Sequence, residues 1–351
     1  MDADLVKREF MAVFDELVAQ LDAELASSFD VPPPAQAYIH KIMTYNVPHG
    51  KLTRGLAVLQ CYKSFCGHAH ELSAEETRQA NMLGWCVEWL QACFLVADDI
   101  MDGSHTRRGQ ACYYKLPEIG LKAVNDSLIL EAMIFRILKA NFRSHRAYVE
   151  LTELFREITF ITEVGQLLDL TSQQEPGHVD LTAFTSDTLY RIYRYKTAYY
   201  SFYLSVALGM RLANVEDPQL YKHAERVCLA IGEYFQAQDD YLDCFGEPEL
   251  IGKVGTDIEE NKCTWLVVTA LHECNASAED RALLEANYGR NDKECVARVK
   301  EMYGKLGIPD AFQAYEQKSY DSIRAMIAEL EGVMPTGAFE FLLQKVYKRS
   351  K

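Results

Sequence analysis

The sequence predicts an all-α protein, a single large bundle of ten or more helices. Three observations predict it. Apolar positions recur at helical spacing along most of the chain, no alternating strand pattern competes, and proline and glycine clusters fall at intervals that suit helices. With 351 residues, 49% of them apolar, the chain can bury a sizeable core. No repeat, low-complexity tract or linker divides it, so residues 1–351 read as one domain.

Phe10, Val13, Phe14, Leu17, Leu21 and Leu25 form one apolar stripe, and Pro32-Pro33-Pro34 stops that helix. Asn46 to Gly50 is a turn, and a helix starts near Lys51. A buried helix spans 83–102, and Gly103, Ser104, Gly109 and Pro117 mark a loop after it. Helices are expected near 124–143, 146–172, 185–213 and 219–245, then 257–274, 279–287, 291–305, 309–333 and 337–347.

Fifty-one Asp and Glu against 36 Lys and Arg give a net charge of −15. Such a balance argues against nucleic acid, whose phosphate backbone needs a basic footprint. Ten scattered cysteines form no C-x-x-C pair and read as reduced, small core residues of a cytoplasmic protein. No apolar leader is visible at the N-terminus, and no 18-residue apolar run is free of charge, so no membrane span is expected.

Two stretches stand out because they are one pattern twice. Asp98-Asp99-Ile100-Met101-Asp102 and Asp239-Asp240-Tyr241-Leu242-Asp243 both read DDxxD, and each ends an apolar, helix-patterned run. On a helix, positions three and four apart share a face, which brings the carboxylates to about 5–6 Å at Cβ. Crowded carboxylates beside apolar residues repel one another unless something positive joins them. An oxygen-only cluster suits a hard cation, Mg²⁺ above all, which favours one or two carboxylates plus substrate phosphates. A lone DDxxD is more often a solvated acidic face. At ordinary Asp usage, however, a chain this long holds only about 0.08 such motifs by chance, which makes a pair hard to dismiss.

Cations punctuate the loops around these clusters. Arg107 and Arg108 follow the first directly, Lys51 and Arg54 open a helix after Gly50, and Lys253 and Lys262 flank Asp257 after the second. Lys196 lies among Tyr193, Tyr195, Tyr199 and Tyr200, so it is expected to be partly buried and to need a partner. Two kinds of anion site follow: one through Mg²⁺ bridged by aspartates and backed by Arg107, Lys196 and Lys253, the other through Lys51, Arg54 and Arg108 directly. Beside an apolar pocket they imply substrates with a phosphate head and a greasy tail.

The residues 94–102 with Thr106-Arg107-Arg108-Gly109-Gln110 resemble the first aspartate-rich motif of the farnesyl diphosphate synthases, and 232–243 resembles the second. Gly165-Gln166-Leu167-Leu168-Asp169, Tyr195-Lys196-Thr197-Ala198, Gly252 to Asp257 and Tyr347-Lys348-Arg349 fall in family order. The resemblance covers essentially the whole chain. It implies the isoprenoid synthase fold, a helical bundle around a central substrate cavity, a homodimer, and head-to-tail condensation of isopentenyl diphosphate with dimethylallyl and then geranyl diphosphate to give farnesyl diphosphate, a sterol precursor. It further implies three Mg²⁺ ions, with Mn²⁺ as a substitute. Asp98 and Asp102 would hold two, and Asp239 the third with help from Asp243, while Asp99 and Asp240 support them from behind. Arg107, Lys196 and Lys253 would neutralise the allylic diphosphate. Isopentenyl diphosphate would meet Gly50, Lys51, Arg54, Gln91 and Arg108, with Arg349 closing from the C-terminus. Thr197, Gln236 and the Lys196 carbonyl would supply dipoles to the carbocation, and the departed diphosphate would take the proton, so no catalytic histidine is needed.

Three departures sharpen the expectation. His49 stands where the family has glycine, and Ser350 where animal members often have arginine. Cys93, before Phe94, replaces the usual aromatic that limits chain length. A missing ring makes room for a longer tail, so farnesyl diphosphate is expected to dominate with some geranylgeranyl diphosphate, and a geranylgeranyl diphosphate synthase is the alternative. Other readings fit less well. The one Glu-x-x-His, Glu175-Pro176-Gly177-His178, cannot sit in a di-iron helix. No D-x-D-x-D-G calcium loop occurs. A terpene cyclase would carry Asn or Asp, Ser or Thr, and Glu in its second motif rather than DDxxD, and a non-catalytic prenyltransferase subunit has no need of two intact clusters.

Overall fold

The computed structural model describes residues 3–67, 71–173, 179–247 and 254–347. These residues are overwhelmingly helical, as expected, and their contacts gather into two compact units.

The first unit comprises residues 1–159, 200–224 and 330–342. It holds α1 (Ala3–Ser27), α2 (Pro33–Asn46), α3 (Thr53–Cys66), α4 (Ala74–Met101), α5 (Ala123–Phe142), the start of α6 (Tyr148–Ser172) and α8 (Leu204–Leu212). Its centre is α4, buried almost without interruption from Ala80 to Cys93. Trp85 stacks on Phe10 with ring centroids 4.5 Å apart, and its indole N–H donates to the Phe10 carbonyl at 2.7 Å. Phe14 and Trp89 extend the same cluster. Burying each such ring contributes on the order of 3 kcal/mol. Helix α4 is long and apolar enough to cross a membrane, yet 83% of its most apolar window is buried inside the protein, as in a core helix.

The second unit comprises residues 160–199, 225–329 and 343–351. It contains the rest of α6, α7 (Ser186–Ile192), most of α9 (Pro218–Phe245), α10 (Trp265–His272), α11 (Ala278–Asn287), α12 (Lys293–Lys305), α13 (Ile308–Ala328) and the end of α14 (Gly337–Val346). Its core gathers Phe184, Ile192, Tyr193, Trp265, Tyr288, Tyr303 and Phe312. Tyr241 lies flat on Phe312, 4.0 Å between centroids.

Several elements differ from the expected ones. Pro32-Pro33-Pro34 ends nothing by itself: Pro33 and Pro34 occupy the first turn of α2, where a missing N–H costs nothing. Helix α4 begins nine residues before the expected 83, at a capping box in which Ser73 accepts the Glu76 N–H and Glu76 the Ser73 N–H. Residues 106–111 form a two-pair antiparallel hairpin, β1 (Thr106–Arg107) and β2 (Gln110–Ala111), inside the expected loop. Its turn residues Arg108 and Gly109 have φ of +55° and +76°, the hand that suits a two-residue hairpin. Residues 185–213 form not one helix but α7, a π-helix over Tyr193–Tyr203, and α8. Residues 257–260 are turn, and the expected 257–274 helix starts only at Trp265.

Candidate active site

In the first unit α4 delivers Asp98 and Asp99 in its last turn, and Asp102 caps its C-terminus. Asp99 is buried at 3% exposure, whereas Asp98 and Asp102 are partly exposed. The hairpin swings Arg107 back onto them: its Nε donates to Asp99 at 2.9 Å, and its Nη2 to Asp99 at 2.5 Å and Asp98 at 3.2 Å. Burial pushes the Asp99 carboxyl above its usual range, and Arg107 pulls it part of the way back. Burial also presses on the Arg107 guanidinium, but Asp99 and Asp98 outweigh it and hold the group protonated.

Arg108, at the hairpin apex, points elsewhere. It donates to the His49 carbonyl, and to Gln91 Oε1 at 2.9 Å. Gly50 beneath it has φ +108°, and a Cβ there would stand 2.9 Å from the guanidinium carbon, so only glycine fits. Arg54 donates to Ser201 Oγ at 2.9 Å and lies 5.2 Å over the Tyr200 ring, which meets Phe94 at 5.6 Å. Lys51 is exposed one residue before Leu52, whose φ is +56°. Between these groups sits Glu88, 2% exposed, accepting the Gly55 N–H at 2.8 Å. Burial raises its pKa, with Arg54, the Gly55 N–H and Arg108 opposing. Burial lowers that of Arg108, which Glu88 partly restores against repulsion from Arg54 and Arg107. Sequence reasoning passes over Glu88, although one carboxylate inside an otherwise apolar helix is a readable signal. A cleft lined by Tyr45, Asn46, His49, Asp99, Arg107 and Arg108 joins the two groups. Cys93 is buried at 8% exposure beside the partly exposed Phe94.

In the second unit α9 carries Asp239, Asp240 and Asp243 toward its C-terminal end. Asp240, 6% exposed, accepts the Tyr193 hydroxyl and, at 2.8 Å, the Trp265 N–H. Burial pushes its carboxyl up to about 7; these two donors oppose the shift, and Asp239 and Asp243 add to it. Asp243 is also 6% exposed, and its Oδ1 accepts the Asp257 N–H at 3.1 Å. Asp239 is partly exposed. Lys196 finds the partner its surroundings demand: Nζ donates to the buried Asp169 at 2.5 Å. Thr197 donates to Gln236 Oε1 at 2.9 Å, so two expected dipoles are hydrogen-bonded to each other. Lys262 pairs with Glu260 at 2.8 Å. Lys253 and Arg349 lie outside the described residues.

All donors at the two clusters are carboxylate oxygens near helix C-termini, where the dipole also favours a cation. That chemistry fits Mg²⁺. Among the described residues no three His, Cys, Asp or Glu close on one point as a ready-made cage, which suits an ion that relies on substrate phosphates and water. All ten cysteines are free, seven of them buried.

A helical fold that ends two long helices in DDxxD, with Arg107 folded against the first, defines a class: the chain belongs to the polyprenyl synthetase family, whose pattern matches residues 36–306. It is 45% identical to the farnesyl pyrophosphate synthase of Saccharomyces cerevisiae, over all of this chain and 99% of that one. It is also 45% identical to that of Gallus gallus, over 98% of this chain and 93% of that one. Among solved structures, T. brucei farnesyl diphosphate synthase complexed with minodronate superposes with a TM-score of 0.92 at 35% identity, covering 99% of this chain and 100% of that one.

Proposed function

We propose that this chain is a Mg²⁺-dependent farnesyl diphosphate synthase, condensing isopentenyl diphosphate with dimethylallyl and then geranyl diphosphate. The observation that carries the reading is the paired DDxxD, each with its middle aspartate buried and locked by hydrogen bonds while Asp98, Asp102 and Asp239 stay nearer the surface. Full-length similarity to the synthases of yeast and chicken supports it.

Asp98 and Asp102 would hold two Mg²⁺ ions, and Asp239 with Asp243 a third, with Mn²⁺ as a substitute. When bound, the metal supplies charge stabilisation for the departing allylic diphosphate. Asp99 and Asp240, fixed from behind, keep their neighbours oriented. Arg107 and Lys196 each bring positive charge for the allylic diphosphate, and each pairs with a carboxylate of its own. Lys253 serves alongside them. Gly50, Lys51, Arg54, Gln91 and Arg108 hold the isopentenyl diphosphate, with Arg349 completing the site; His49 lends its ring to the same cleft. Thr197 and Gln236 turn their dipoles toward the allylic cation, and the isopentenyl double bond attacks it. The released diphosphate takes the proton, which leaves no task for a catalytic histidine.

Phe94 sets the tail length, and the small Cys93 beside it lets some geranylgeranyl diphosphate form. The two units act as one polyprenyl synthase domain, supported by a family match that runs through both. The exposed Leu121, Val124 and Leu128, just before and at the start of α5, support a homodimer that covers them. Ten free cysteines support a reducing, cytoplasmic location. The test is Mg²⁺-dependent diphosphate release from dimethylallyl and isopentenyl diphosphates. The reading expects turnover that EDTA abolishes, and a folded protein without turnover would refute it.

A further inference from the structure

The stretch Gly165 to Asp169 has no role in the reading above except that Asp169 pairs with Lys196. The structure shows a second contact. Gly165 is buried where α6 crosses the π-helix, and both sides of this crossing lie in the second unit. A Cβ at Gly165 would overlap the Lys196 backbone nitrogen and the Tyr195 carbonyl carbon and stand 2.6 Å from Lys196 Cα. These are backbone atoms, so no rotamer change relieves the clash. One turn further along α6, Asp169 takes the Lys196 ammonium at 2.5 Å. Helix α6 therefore grips one residue of the π-helix at two points: bare backbone at 165 and a carboxylate at 169.

A π-helical ladder is poorer than an α-helical one and persists where its surroundings hold it, often at functional sites. It also rotates the residues that follow it relative to an α-helix of the same sequence. We infer that Gly165 is a positioning residue: by letting α6 press against the Tyr195–Lys196 backbone, it holds the π-helix and fixes the direction in which Lys196 and Thr197 are presented. The activity arm of its test rests on the function proposed above; the exchange arm does not.

The test compares Gly165→Ala with a matched control, Gly209→Ala, in the full chain. Gly209 is also a helical glycine at a tight crossing, where a Cβ would stand 2.6 Å from Cys61 Cβ and 2.9 Å from the Val58 oxygen, but it lies in the first unit. Amide hydrogen exchange of the peptide spanning residues 195–203 should speed up about tenfold or more in Gly165→Ala and stay unchanged in Gly209→Ala. At a temperature where circular dichroism shows both folded, Gly165→Ala should lose about 10²-fold in kcat, the loss that a misplacement of about 1 Å can cause, with KM for isopentenyl diphosphate within about threefold. Gly209→Ala should keep its kcat within about threefold. Unchanged exchange in Gly165→Ala, or equal kcat losses in the two variants, overturns the inference. An inactive wild type would remove the proposed function and leave the exchange arm to decide. If Gly165→Ala does not fold, Asp169→Asn carries the exchange test without added volume. Faster exchange confined to 195–203 sustains the dock, and unchanged exchange refutes it.

Discussion

The two DDxxD clusters share a pattern and solve its electrostatic problem differently. In the first, the buried Asp99 meets a cation, Arg107, which a two-residue hairpin returns to the helix that bears it. In the second, the buried Asp240 meets neutral donors, the Tyr193 hydroxyl and the Trp265 N–H, from parts of the chain far away in sequence. Burial raises both carboxyls: Arg107 opposes the rise at Asp99, and two neutral hydrogen bonds oppose it at Asp240, which is pushed up to about 7. The buried Asp99 is thus balanced by a guanidinium, and among the described residues the buried Asp240 is held by two neutral donors instead.

If that contrast is right, removing the outer carboxylates should equalise the clusters and disturbing the inner partners should separate them. Asp98→Asn and Asp239→Asn should each lower Mg²⁺-dependent diphosphate release by about 10²–10³-fold. Near wild-type turnover in either variant would detach that cluster from the chemistry. Arg107→Gln strands a buried carboxylate and should cost about 3 kcal/mol in urea unfolding of EDTA-treated protein. Tyr193→Phe removes one neutral hydrogen bond and should cost about 1–2 kcal/mol. Adding Asp99→Asn to Arg107→Gln should recover stability. Equal losses from Arg107→Gln and Tyr193→Phe would erase the proposed difference.

Chain length offers a subtler comparison. Phe94 lies four residues before Asp98, and Phe235 four before Asp239. Phe94→Ala should shift the main product from C15 to C20, and Cys93→Phe should remove the minor C20 species, whereas Phe235→Ala should leave product length unchanged. Movement with Phe235→Ala instead would put the ruler on α9.

The smallest effect concerns pH. Glu88 is buried as Asp99 and Asp240 are, so its folded pKa lies above the ordinary 4.5. An acid raised in this way contributes stability that is complete below its unfolded pKa and fades as pH rises through the folded value. Relative to wild type, Glu88→Gln should therefore unfold more easily near pH 4 and gain ground as pH increases. A difference that stays flat across the range would mean that Glu88 is not strained by burial.

The helical class, both clusters and most helix spans can be read from periodicity because local pattern determines them. Other features cannot. Pro33 and Pro34 look like a stop and are a start, since the residue that cannot continue one helix is well placed to open the next. The start of α4 is legible in Ser73 and Glu76, but only when the cap is given as much weight as the apolar run. The π-helix at Tyr193–Tyr203 leaves no trace in a 3.6-residue period, and Gly165, which packs against its backbone, lies some thirty positions earlier. The same distance hides the partners of the site residues: Lys196 reads as needing a counter-charge, yet nothing local points to Asp169.

The account turns on the clusters and their cations acting together to join prenyl units. The most direct measurement incubates the protein with Mg²⁺, dimethylallyl diphosphate and radiolabelled isopentenyl diphosphate, then separates the products by chain length. The account predicts label chiefly in the C15 diphosphate, with a small C20 fraction. A folded protein that leaves the label in isopentenyl diphosphate, or places most of it in C20, would contradict it.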